Sequence, residues 1–207
     1  MKKGVLTIFV LFIPSVVAFH LIRNVNINPK YNIGDIFDTF QGVSVFYNGG
    51  INTVVGRNRT ADGYNLGLKY QCVEFVKRYY FKRYSHKMPN SYGHAKDFFN
   101  SKLKDGQFNK VRGLIQFKNP SSRAPKVGDL LVYGPTVFNA YGHVSIVSKV
   151  NLSDDSIEII QQNSGQFGST REIFKLQQQS KRWKIMHKGV LGWLSLPDKA
   201  SNNINQF

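Results

Sequence analysis

One cysteine in 207 residues excludes an intramolecular disulfide, so no covalent bridge stabilises this chain and thiol chemistry rests on Cys72 alone. Acidic residues are scarce too, 12 against 28 Lys and Arg, for a formal net charge of +16. There is no Cys-Cys pair, no His-Glu-x-x-His and no clustered Asp. His20 falls near a leader-like start, and His86, His94 and His187 stand alone, each reading as a surface or core histidine, so a metal site has little support. Gly49-Gly50 and Gly63 to Gly67 form no phosphate-binding fingerprint, which removes the sequence basis for a nucleotide cofactor; a glycine-rich approach loop is the reading. No internal repeat is visible.

What is present is a thiol and an imidazole in suitable settings. The run Lys69-Tyr-Gln-Cys-Val-Glu-Phe-Val-Lys-Arg-Tyr-Tyr80 has helical spacing, with Cys72, Val76, Tyr79, Tyr80 and Arg83 on one face and Glu74, Lys77, Arg78 and Lys82 mostly on the other. Cys72 lies in the first turn, where unpaired N–H groups and the positive end of the helix dipole favour a thiolate. Such a position also suits an inert, buried cysteine, so it does not assign a role by itself. Downstream, Gly128 to Tyr133 and His143 to Ser148 read as consecutive strands, followed by Ile157-Glu-Ile-Ile-Gln-Gln-Asn163. By the two-residue period, Ile157, Ile159, Gln161 and Asn163 share a face. Antiparallel pairing brings Gln161 or Asn163 back beside His143, and a nucleophile, a base and a base-orienting group then converge.

Four blocks carry a resemblance: Gln71-Cys72-Val73-Glu74-Phe75, Gly128-Asp129-Leu130-Leu131-Val132, Gly142-His143-Val144 and Ile160-Gln161-Gln162-Asn163. In this order the chain, over roughly Gly42 to Leu196, resembles the CHAP domains. These are cysteine- and histidine-dependent amidohydrolases and peptidases with a papain-like core, found in cell-wall lytic enzymes and in the amidase half of glutathionylspermidine synthetase/amidase. The resemblance implies Cys72 as nucleophile and His143 as general base. It implies Gln71 and the backbone N–H of Cys72 as oxyanion-stabilising elements, and Asn163 as the asparagine closing the last block. In the amidase relatives that block reads Glu-Gln-Asn; here the first position is the neutral Gln161. An amide oxygen accepts the histidine N–H and fixes its tautomer, but supplies no opposite charge to an imidazolium. Gln161 and Asn163 both stand as candidate orienters, with a water or a residue from elsewhere as the further alternative, and Glu158 falls on the opposite face.

Met1-Lys2-Lys3, the apolar stretch Val5 to Ile13 and Val16-Val17-Ala18 have the layout of a secretory signal over residues 1–18, with cleavage after Ala18. Read instead from Val5 to Ile22, the same stretch is an uncleaved anchor despite Pro14. With 42% apolar residues the remainder supports one core, and residues 24–200 form a single domain. The fold class is α+β, a papain-like arrangement of a small antiparallel sheet or partial barrel packed against the cysteine-bearing helix. Further strands are expected at Val43 to Tyr47, Ile51 to Val55, Arg171 to Phe174, Trp183 to His187 and Val190 to Leu196, with a second short helix at Tyr92 to Lys102. Asp62 to Leu68 is delivered to the cleft beside Cys72.

The basic residues are scattered and form no nucleic-acid module. With export, whether secreted or periplasmic, an anionic cell-envelope polymer such as peptidoglycan is the fitting partner, and membrane contact comes only through an uncleaved leader. The expected activity is an exported cysteine amidase or endopeptidase acting on amide bonds, without cofactor or metal. A glutathionylspermidine-type amidase and a non-catalytic envelope-binding module are the alternatives.

Overall fold

The computed structural model describes residues 17–198. The expected leader lies outside them apart from its last two positions, where residues 17–24 are helical. No helix among the described residues is long and apolar enough to cross a membrane.

Two short hairpins come first: β1 (Ile36–Phe40) with β2 (Val43–Phe46), and β3 (Arg57–Arg59) with β4 (Asn65–Leu68). Helix α1 (Cys72–Tyr84) follows, then a 3-10 turn at Ala95–Phe98. The remaining strands, β5 (Gln107–Asn109), β6 (Leu114–Lys118), β7 (Leu130–Tyr133), β8 (His143–Asn151), β9 (Ser156–Ile160), β10 (Arg171–Gln179), β11 (Arg182–Ile185) and β12 (Val190–Ser195), build one antiparallel sheet. Its order is β11-β10-β9-β8-β7-β12-β6-β5. Ser121, just past β6, exchanges backbone bonds of 3.0 and 2.6 Å with Trp183 of β11, which curls the sheet into a partial barrel.

The two-residue alternation sorts the sheet into two buried faces. Leu130, Val132, Val144, Ile146, Ile160 and Leu194 meet α1 through Phe75, Val76, Tyr79 and Tyr80. Leu131, Val147, Ile159, Leu176, Ile185 and Trp193 fill the inside of the curl. A 13-residue helix is marginal on its own. Each buried apolar side chain contributes roughly 1.5–3 kcal/mol, so packing on the sheet, not propensity, holds α1.

Three features depart from the sequence expectations. The second face of α1 is not solvated: Glu74 and Lys77 are each only 1% exposed and Arg78 4%. The helix lies between the sheet and the N-terminal hairpins, and each buried charge has partners there. Asn58 donates to Glu74 at 2.7 Å, Arg78 to Glu74 at 2.6 Å and to the Ser44 carbonyl at 2.7 Å, and Lys77 to the Ser91 carbonyl at 2.7 Å.

Instead of a helix over Tyr92 to Lys102, only Ala95–Phe98 coils. The buried Arg112 guanidinium draws the carbonyls of Asn90, Tyr92 and Asp97 out of any helical ladder. Residues 51–55 are a turn and an irregular stretch, while the strands on either side of that loop are β2 and β3.

Candidate active site

Cys72 is the first residue of α1, after an extended Gln71. Its N–H therefore has no intrahelical acceptor. His143 opens β8 opposite Tyr133 of β7, whose ring lies 5.5 Å from the imidazole. The preceding Gly142 has φ +74°, and a Cβ there would sit 2.6 Å from the Tyr133 carbonyl, so only glycine lets the chain enter β8 this close to β7.

The thiol and the imidazole line the same cleft and lie close enough to shift one another's titration. Burial pushes the Cys72 thiol up. The imidazolium charge of His143 and the N–H groups of Val144 and Val73 outweigh that and bring it below the ordinary range. Burial pushes His143 down, but the thiolate, the bond to Gln161 and the charge of Glu172 raise it. The two groups thus favour a thiolate–imidazolium pair and titrate together.

The closing Gln-Gln-Asn block divides its labour. Gln161 Oε1 lies 2.8 Å from His143 Nε2, which leaves Nδ1 for the thiol. Gln162 Nε2 donates to the Gln71 carbonyl at 3.0 Å and to Glu74 at 2.9 Å, tying the block to the start of α1. Asn163 faces elsewhere: its Nδ2 donates to Gln71 Oε1 at 2.6 Å and to the Ile51 carbonyl at 2.9 Å, and its Oδ1 accepts from Asn48 at 3.0 Å. The expected shared face of Gln161 and Asn163 ends because β9 stops at Ile160 and Asn163 takes φ +62°. Gln71 lines the cleft, but its Nε2 already donates to the carbonyls of Thr53 at 2.8 Å and Ile51 at 3.2 Å. Both amide hydrogens are occupied, so the side chain expected to hold an oxyanion braces the loop instead, which leaves the Cys72 N–H as the candidate donor.

These groups open into a cleft of about 990 Å³. Asn65, Gly67 and Leu68 line it, as the loop reading anticipated, whereas Asp62 lies outside. Tyr92, His94 and Tyr141 form another wall. Arg23 and Arg57 also line it: Arg23 donates to the Phe138 carbonyl at 2.9 Å, and Arg57 to Asn65 at 3.0 Å. Neither guanidinium pairs with a carboxylate among the described residues. Glu172 is the one carboxylate lining the cleft among the described residues, and Gln161 Nε2 donates to it at 2.6 Å. Sequence reasoning missed Glu172, since nothing before β10 signals that its register brings that side chain beside Gln161.

Residues 62–163 match the family model of the CHAP domain. Among curated proteins, the chain is 27% identical over 153 residues to a trypanothione synthetase of Crithidia fasciculata, covering 69% of this chain and 23% of that protein. It is 33% identical over 100 residues to the bifunctional glutathionylspermidine synthetase/amidase of Escherichia coli (strain K12), covering 47% and 16%. The chain thus spans less than a quarter of either relative's length. Among solved structures, the endolysin LysIME-EF1 aligns over 72% of this chain and 62% of that one, at 22% identity and a TM-score of 0.40. Cys72, His143 and the Gln-Gln-Asn block all fall inside residues 62–163, the part of this chain that matches the CHAP domain.

Proposed function

We propose that this chain is an exported cysteine amidase or endopeptidase that hydrolyses an amide bond in peptidoglycan. His143 Nδ1 takes the Cys72 proton, and the thiolate attacks the scissile carbonyl carbon. The resulting oxyanion is held by the Cys72 N–H at the positive end of α1. The imidazolium then protonates the departing amine as the C–N bond breaks, leaving a thioester. Water, deprotonated by His143, attacks the thioester and releases a carboxylic acid and the free thiol.

The observation that carries the substrate class is the charge of the cleft. Arg23 and Arg57 line it without carboxylate partners among the described residues, on a chain of net charge +16. Such a surface suits the carboxylates of a wall stem peptide and repels a polyamine conjugate, the chemistry named by the bifunctional relatives. Digestion of purified peptidoglycan and of glutathionylspermidine in parallel, followed by mass spectrometry, tests this. The expected result is new wall-peptide termini and an intact polyamine conjugate. Cleavage of the conjugate alone would shift the reading to the polyamine amidase. Cleavage of neither, with a thiol inert to alkylating probes, would leave a binding module.

A further inference from the structure

We propose that Glu172 is a positioning residue that orients and charges the Gln161–His143 pair, so that the site works as a relay Cys72–His143–Gln161–Glu172. The inference rests on the reading of Cys72 and His143 as the reacting pair.

The orientation follows from donor and acceptor counting. Gln161 Nε2 has two hydrogens and faces two acceptors, the Ser169 carbonyl at 3.1 Å and Glu172 Oε1 at 2.6 Å. An ionised carboxylate and a carbonyl only accept, so the nitrogen end of the amide points at them and the oxygen end points at His143. Flipping the amide would set oxygen against both. An oxygen 2.8 Å from Nε2 requires the proton on Nε2, which keeps Nδ1 free to take the Cys72 proton. Glu172 therefore selects the productive tautomer at one remove.

Charge follows the same path. Glu172 forms no ion pair with Lys or Arg among the described residues, so a cation within bonding distance does not cancel it. The groups facing His143 are Cys72 from α1, Tyr133 from β7, and Glu172 from β10 through Gln161. Burial pushes the Tyr133 phenol well up, so it stays neutral. Apart from the thiolate, Glu172 is then the negative group acting on the imidazolium. The carboxylate missing from position 161 stands one hydrogen bond farther back.

The test is a charge swap. Gln161→Glu alone sets one carboxylate against another and removes the donor to Ser169, and kcat should fall by about tenfold or more. Adding Glu172→Gln restores one carboxylate and one amide, and the double variant should regain most of that loss. The isosteric Glu172→Gln alone keeps the bulk and should lower the His143 pKa, read by imidazole NMR without substrate, by roughly half a unit or more, drawing the alkaline limb of activity to lower pH. A His143 titration unmoved by Glu172→Gln, or a double variant no better than Gln161→Glu, would overturn the relay. Alkylation of the wild-type thiol needs no substrate and separates the two readings. An ordinary thiol there overturns the reacting pair and the relay with it, whereas an activated thiol beside an unmoved His143 overturns the relay alone.

Discussion

Gln162 donates to Glu74, 88 positions away in the chain, at 2.9 Å in a buried setting, and the same nitrogen holds the Gln71 carbonyl at 3.0 Å. This contact joins the segment carrying Gln161 to the helix start carrying Cys72, so the spacing between imidazole orienter and thiol depends on it. Glu74 also balances Arg78 at 2.6 Å, with side chains 1% and 5% exposed. Glu74→Ala should cost about 3–5 kcal/mol, because it strands a buried guanidinium. Denaturant melts check the loss, and Glu74→Gln, which keeps the shape, should cost less.

The parts of the site readable in the sequence are those set by short-range rules. Helical spacing and the first-turn position singled out Cys72, and two-residue alternation across one polar turn narrowed the partner of His143 to Gln161 or Asn163. Asn163 escaped because the alternation was carried three residues past the end of β9, into a left-handed backbone conformation. Glu172 escaped because residues 161–170 connect β9 to β10 without a tight turn, and register is not legible without one. The charged face of α1 misled for another reason. Amphipathic spacing assumes one solvated side, and here the N-terminal hairpins cover that side.

Cys72→Ala and His143→Ala should each abolish hydrolysis with little change in melting temperature, since their proposed roles are chemical. The double variant should be scarcely worse than either single one, because the pair acts as a unit. Steady-state rates for the three variants, alongside thermal melts, check this.

The thiol's downward shift fixes a sign. Native Cys72 should be alkylated by iodoacetamide at pH 7 faster than the same residue in the urea-unfolded chain, where it titrates near 8.5. A depressed native pKa adds stability that is fully present above the unfolded value and lost as pH falls through the native one. His143, raised in the native state, adds stability below its unfolded value that is lost as pH rises through its native one. Alkylation across a pH series, native against unfolded, measures the first directly.

Gln161→Ala and Asn163→Ala should separate cleanly. Losing the Gln161 contact to His143 should lower kcat by about one to three orders of magnitude with KM nearly unchanged. Losing Asn163 frees Gln71 and the Ile51 carbonyl and should loosen the cleft wall, raising KM and lowering the melting temperature. The reverse pattern would place the orienter at Asn163.

Intact-protein mass spectrometry of an acid-quenched reaction with purified muropeptides checks acyl transfer through Cys72. A thioester adduct of the acyl fragment's mass should map to Cys72 and be absent after iodoacetamide treatment, which should also stop turnover. Continued release of cleaved muropeptide by fully alkylated protein would contradict it.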